Sequence, residues 1–277
     1  MPLPGKYINP LTNFGFKKLF GEEPNKDLVI DFLNQILPPI HQIKDLTYTK
    51  NEHVGNNAGD RKAIFDLYCE SHSGEKFIVE VQKAKQNYFK DRSVYYSTFP
   101  IQEQAQAGAW DFKLSAVYTI GILDFMFEDH KDSPDILHTV QLKNQSNQVF
   151  YDKLTYLYIE LPKFKKTEEE LENKFDKWLY VFRHLSQLQD RPIALQERVF
   201  EKLFEAASIA TFSRQERDLY EDSLKYYRDI KNVVDTSKEE GGAERAMEIA
   251  KTMKADGLPI STIIKYTGLS EDEIRKL

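Results

Sequence analysis

The stretch IFDLYCESHSGEKFIVEVQ, residues 64–82, decides how this chain is read. Side chains alternate across a strand. On that period Ala63, Phe65, Leu67 and Cys69 share one face of a first strand, and Ile64, Asp66 and Tyr68 share the other. In a second strand Phe77, Val79 and Val81 lie opposite Ile78, Glu80 and Gln82. His72-Ser73-Gly74 fits a short turn between them, so the stretch predicts a β-hairpin. A reasonable register brings Asp66 toward the face of Glu80 and Gln82. Two readings of that face stand side by side. Polar residues on a solvated strand face need no function, and periodicity alone favours this reading. Two carboxylates and an amide that converge are also the residue types that hold a hard divalent cation and orient a water for phosphodiester hydrolysis.

Upstream, Phe16, Leu19 and Phe20 are spaced for a short helix. Asn25 can cap a second helix running to about Leu37, with Leu28, Val29, Phe32, Leu33 and Ile36 on one face, until Pro38-Pro39 ends it. Residues 43–51 read as a strand and 54–60 as a flexible loop. Downstream, residues 83–111 predict a long helix bent at Pro100, with Gly108 near its end. Residues 114–125 predict a strand buried on both faces. Residues 135–161 predict a further pair of strands around a turn at Gln145-Ser146-Asn147. The core order is therefore helix, strand, strand, strand, helix, strand. From Thr167 the pattern is helical. Thr167 and Glu170 form a capping box ahead of Trp178, Leu179, Phe182 and Leu185, and further helices are expected near 194–211 and 214–234. Lys238-Glu239-Glu240-Gly241-Gly242 reads as a linker to a tail of three helical segments: 243–255, 261–266, and one capped by Ser270 and Glu273. The expected divisions are residues 1–162, a helical extension 163–237 and a tail 238–277.

The chain has 277 residues, enough for one domain with a good core plus an appendage. Its 41% hydrophobic and 13% aromatic content points to a globular rather than a disordered chain. Cys69 is the single cysteine, which excludes an intramolecular disulfide and a Cys-rich zinc site; its parity puts it in the core. The first residues lack the pattern of a signal peptide, and no apolar run is long enough for a bilayer, so a cytoplasmic protein without a membrane partner is expected. A net charge of −6 argues against a nucleic-acid coat protein but leaves room for one basic patch. Lys83, Lys85, Lys90 and Arg92 form that patch, interleaved with Tyr88, Tyr95 and Tyr96. Lys83, Lys85 and Arg92 flank Gln82 and are read as DNA-phosphate contacts, the tyrosines as inward packing. His41, His53, His72, His130, His138 and His184 show no ligand spacing with one another.

Several stretches together carry a resemblance. They are NPLTNFGFKKLFG at 9–21, the hairpin Asp66 … Glu80-Val81-Gln82, NYFKDRSVYYSTFPIQEQAQAG at 87–108 with the strand after it, and TGLSEDEIRKL at 267–277. In this order they resemble the PD-(D/E)XK nuclease family transposases, relatives of the recombination-promoting nucleases of bacteria, with the motif in an E-x-Q form. The resemblance covers residues 8–125 well, the helical middle loosely, and the tail again. It implies a restriction-endonuclease-like α/β core followed by a mostly helical C-terminal region. It implies a DNA endonuclease associated with transposition or recombination, hydrolysing phosphodiester bonds with Mg²⁺ or Mn²⁺. Carried over by position, Asp66 and Glu80 are the catalytic metal ligands, and the Val81 carbonyl is a further oxygen ligand. Gln82 stands where the parent motif has lysine. Lysine brings a charge and can relay a proton, whereas glutamine only hydrogen-bonds, so Gln82 is assigned to positioning water or phosphate.

Asn13 stands where many relatives have an aspartate. Either it weakens an accessory metal contact, or it simply caps the helix that begins at Phe14. The tail resembles a helix-turn-helix. Its last helix is short, which favours a structural or self-association role, with a homo-oligomer as the outcome, over base reading. Two rival readings remain: a nuclease-fold protein that binds DNA or protein without cutting, and a helical oligomerisation protein with an incidental hairpin.

Overall fold

Residues 5–50, 52–53, 63–86, 88–105, 111–255 and 259–277 are described in the computed structural model. The first helix, α1 (Asn13–Phe20), is capped by Thr12, whose Oγ1 accepts from the Gly15 amide at 3.0 Å. It buries Phe16, Leu19 and Phe20. The second, α2 (Lys26–Leu33), buries Leu28, Val29, Phe32 and Leu33. It stops before the expected Leu37 because Asn34 turns the chain. The Asn34 side chain accepts from the Ile43 amide at 2.7 Å and donates to the Ile43 carbonyl at 2.8 Å.

The strands follow. β1 (Leu46–Tyr48) is short, and β2 (Glu52–His53) pairs with β3 (Ala63–Ile64) as a separate ribbon. The expected hairpin is present as β4 (Leu67–Ser71) and β5 (Lys76–Gln82), paired Leu67 to Val79 and Cys69 to Phe77. Gly74 takes φ +95° in its turn, a conformation that suits glycine. The first strand is not continuous from Ile64: Phe65 and Asp66 lie between β3 and β4. Phe65 accordingly packs with Tyr68 and Ile78, against the parity expected for it.

Helix α3 (Phe89–Gln102) begins later than position 83. Tyr88, at φ +62°, makes the left-handed turn that starts it. Pro100 falls in its last turn. The expected loop 54–60 and Gly108 lie outside the described residues.

β6 (Val117–Leu123) is buried along its whole length, as its apolar run predicts. β7 (Leu137–Lys143) and β8 (Val149–Glu160) form the last pair. The sheet order is β1-β4-β5-β6-β8-β7, with β6 parallel to both β5 and β8 and the other pairs antiparallel. This is a mixed six-stranded sheet with helices on both faces. Leu67, Cys69, Phe77, Val79, Ile120 and Ile122 pack on one face against α1, α2 and the helices α4 (Lys174–His184) and α5 (Arg198–Ala207). On the other face Phe65, Tyr68 and Ile78 meet Tyr96 and Phe99 of α3. The hairpin face that carries Glu80 and Gln82 is thus not a solvated surface.

The Thr167–Glu170 capping box is present, but it opens a short 3-10 turn, Glu168–Glu170, and α4 starts behind Asn173. Helix α6 (Arg214–Ala255) is a single helix of 42 residues. It runs through 238–242, where the sequence suggested a linker. Each glycine costs about 1 kcal/mol against alanine inside a helix, and the Glu-, Lys- and Ala-rich neighbours outweigh that cost. A Cβ at Gly241 or Gly242 would meet nothing within 4 Å. Substituting both by alanine should therefore raise helical circular dichroism and stabilise the helix by about 1 kcal/mol per site. An unchanged melting curve would count against a helix through these glycines.

The chain divides into two compact units, Met1–Tyr227 and Arg228–Leu277. In the second, α7 (Ile260–Thr267) and α8 (Glu271–Lys276) join the end of α6 around Ala250, Ile263, Leu269 and Ile274. Gly268 closes α7 at φ +72°, and the Ser270–Glu273 capping box opens α8 as expected. Among the described residues no helix is long and apolar enough to cross a membrane.

Candidate active site

Asp66 and Glu80 meet because the register pairing Leu67 with Val79 sets position 66 opposite position 80. Two cross-strand bonds hold them. Glu80 Oε1 accepts from the Asp66 amide at 3.1 Å, and Asp66 Oδ2 accepts from the Val81 amide at 2.8 Å. Both side chains are half-buried. Burial, with the neighbouring Asp66 charge, pushes the Glu80 carboxyl up to about 8. Burial raises Asp66 as well, against the pull of the Val81 amide and of the Lys17, Lys83 and Arg92 charges. Two carboxyl groups side by side offer hard oxygen donors, the chemistry that Mg²⁺ or Mn²⁺ takes. Gly121 is the parallel partner of Glu80 on β6, and a Cβ there would lie 2.9 Å from the Tyr158 ring. The absent side chain at 121 leaves room for that ring beside the site.

Gln82 is buried, and its amide is engaged at both ends. Its Nε2 donates to the Ala84 carbonyl at 3.0 Å, and its Oε1 accepts from Arg92 at 2.6 Å. Arg92 also donates to Gln86 at 2.5 Å and lies over the rings of Phe89 and Tyr96 at 5.3 and 5.7 Å. Placing Arg92 in the first turns of α3 is what lets it reach back to β5. Lys83 is half-buried, with its ammonium 5.0 and 5.6 Å from the rings of Tyr226 and Tyr227 on α6. Burial lowers its pKa, and the Asp66 charge opposes that shift.

The basic stretch therefore divides. The Arg92 charge reaches both Asp66 and Glu80, and that of Lys83 reaches Asp66. Exposed Lys85 lies 3.8 Å from Glu128, and Lys90 pairs with Asp129 at 2.5 Å. Tyr96 packs inward, whereas Tyr88 and Tyr95 are 80% and 42% exposed, which corrects the expectation that all three turn inward. The late start of α3 leaves Tyr88 outside its first turn.

Thr12 takes the capping role that was one explanation of Asn13. Asn13 is exposed on α1, one turn before Lys17, which is also exposed. The Lys17 charge reaches both Asp66 and Glu80. Sequence reasoning passed over Lys17, although the i, i+4 spacing from Asn13 puts both on one helix face. Tyr226 and Tyr227 were missed as well, and no local signal marks them. Glu103 and Gln104 have structural partners: Glu103 accepts from the Tyr68 hydroxyl at 2.6 Å, and Gln104 accepts from the Ser115 amide at 2.7 Å.

Residues 10–237 match the family model of the PD-(D/E)XK nuclease family transposases. Residues 243–277 match the C-terminal helix-turn-helix domain of the Rpn/YhgA-like nuclease family. Comparison with curated proteins and with solved structures gives no match. The first match spans most of the chain and the whole hairpin site, and nucleases of this kind use divalent metal ions. The second gives the helix-turn-helix reading of the tail the support that its short last helix had denied it. With its mixed sheet, its paired carboxylates and a match over 10–237, the chain belongs to the PD-(D/E)XK nuclease family transposases.

Proposed function

We propose that this protein is a metal-dependent DNA endonuclease that hydrolyses phosphodiester bonds in a transposition- or recombination-associated role. The observation that carries the reading is the Asp66–Glu80 pair, tied across the hairpin and faced by the charges of Lys17, Lys83 and Arg92. Asp66 and Glu80 are the ligands for Mg²⁺ or Mn²⁺, with the Val81 carbonyl as a further oxygen. A divalent cation held there supplies Lewis acidity toward the phosphate and acidifies a bound water.

The rest is the work of this chain's own residues. Arg92, held by Gln82 and Gln86, supplies the fixed positive charge that the motif lysine supplies elsewhere. Gln82 acts mainly by orienting that guanidinium. Lys17 and Lys83 add charge that favours a phosphate at the site, and Lys85 extends the same flank along the DNA. Asn13 shares the α1 face of Lys17 and has an accessory role. The helix-turn-helix tail adds DNA contact, and the site calls for a cellular compartment that holds DNA, the cytoplasm of a bacterium.

The test is cleavage of supercoiled plasmid by purified protein with Mg²⁺, Mn²⁺ or EDTA. Metal-dependent nicking is expected. Salt-sensitive DNA binding without turnover under any metal would replace the enzyme by a nuclease-fold binding module. In that event Asn13→Asp is the first substitution to try, because it restores a carboxylate to the α1 face.

A further inference from the structure

A second group of ligand-type side chains lies at the β6–β8–β7 end of the sheet. Glu160 ends β8, His138 is near the start of β7, and His130 closes the 3-10 turn Glu128–His130 that follows β6. The pairing assembles them: Leu123 of β6 is level with Glu160, and His138 lies opposite Tyr158, two residues before Glu160. One ligand atom from each of the three lies within 4.8 Å of the others.

Glu160 is fully buried. Its Oε1 accepts from the Phe127 amide, and its Oε2 faces His138 Nε2 at 2.8 Å and Lys163 Nζ at 2.5 Å. The two imidazole rings stack with centroids 4.4 Å apart. His130 Nε2 is 4.0 Å from Asp129 Oδ2, while its Nδ1 is buried without a hydrogen-bond partner. A buried polar nitrogen without a partner is rare and asks for an explanation. Asp129 Oδ2 is held by Lys90, so the open Nδ1 is the feature that marks His130 as a ligand.

We propose that His130, His138 and Glu160 form a second cation site, for a divalent transition metal of the Zn²⁺ type, distinct from the hard-oxygen site at Asp66 and Glu80. Two imidazole nitrogens and one carboxylate oxygen suit Zn²⁺ and leave a fourth position for water, whereas Mg²⁺ prefers oxygen alone. His138 offers its Nε2 lone pair to the metal as the neutral tautomer that carries its proton on Nδ1. Lys163 is the built-in competitor, because its ammonium sits on the same Oε2. It also donates to the carbonyls of His130 at 2.8 Å and Asp135 at 3.1 Å, and these keep it paired when Oε2 turns to the metal. The bound ion would tie the Glu128–His130 turn, which carries the partners of Lys85 and Lys90, to the β7–β8 pair.

The experiment is calorimetric titration of Zn²⁺ into the full, EDTA-stripped chain in excess Mg²⁺, which fills the hard-oxygen site, alongside thermal melting. One equivalent of Zn²⁺ should bind and raise the melting temperature. His138→Ala should weaken binding by about 100-fold or more. Lys163→Met should tighten it, an effect that a purely structural ion pair would not produce. If His138→Ala does not fold, His130→Ala reads the same loss, and the visible spectrum of the Co²⁺-loaded wild-type protein reports a four- or five-coordinate nitrogen–oxygen site. Absence of a stoichiometric Zn²⁺ equivalent, or binding that survives loss of both histidines, overturns the proposal. The outcome is independent of nuclease activity.

Discussion

Glu80→Gln should lower metal-dependent plasmid nicking by about a thousandfold or more while making the metal-free protein more stable. The two effects share one cause. The folded chain holds the Glu80 proton up to about pH 8, whereas an ordinary glutamate releases it near 4.5. Between those values the folded state binds a proton that the unfolded state has lost. Stability from this group is thus fully present below the lower value and disappears as pH rises through the upper one. Each tenfold change in proton affinity is worth about 1.4 kcal/mol, so even half of the difference leaves a cost of about 2 kcal/mol at alkaline pH. Glutamine cannot ionise and avoids that cost. A divalent cation offsets it in the wild type by replacing the proton, so metal affinity should climb from about pH 6 to about pH 8 and then level off. Denaturation in EDTA at those two pH values, for wild type and Glu80→Gln, separates a lost ligand from a lost fold. A variant that nicks like wild type, or a wild type no less stable than the variant at the higher pH, would remove Glu80 from the site.

Arg92→Ala should lower turnover by about a hundredfold, with the larger effect on kcat. Arg92→Lys should fail to restore it. The guanidinium reaches the Gln82 and Gln86 oxygens with separate nitrogens, and a lysine ammonium is a single point without that fork. Gln82→Lys alone should not improve the enzyme either, because it sets one cation against another. The exchange Gln82→Lys with Arg92→Gln should recover part of the activity, since it returns the charge to β5 and the amide to α3. If Arg92→Ala changes only DNA affinity and leaves kcat intact, Arg92 is a phosphate contact, as the sequence alone suggested, and Gln82 has another role.

The hairpin was legible because its alternation is strict, and because a turn of His72, Ser73 and Gly74 leaves little freedom in register. From that register the approach of Asp66 to Glu80 follows directly. The break at Phe65–Asp66 was not legible, since period-two alternation continues through a kink without a visible fault. Nor was the fate of the basic stretch. Lys83, Lys85, Lys90 and Arg92 look alike in a row of residues, and only the start of α3 at Phe89 sends Arg92 to Gln82 and Lys90 to Asp129. The supposed linker at 238–242 misled because paired glycines are a local signal, whereas helix continuity depends on many neighbours together.

By itself the sequence determined the hairpin, the buried strand after it and the approach of Asp66 to Glu80, because these rest on contacts within a strand, a turn or one hairpin. The tertiary structure alone decided what surrounds the pair and what else comes together. Lys17 from the first helix and Tyr226 and Tyr227 from α6 are brought near residues 66–83 by the burial of a common core. His130, His138 and Glu160, without ligand spacing along the chain, become neighbours when β6 and β8 run parallel and β7 folds back beside them. Sequence spacing records distance along a strand or a helix. Distance between strands is set by the sheet, and that is fixed only when the whole chain closes over its core.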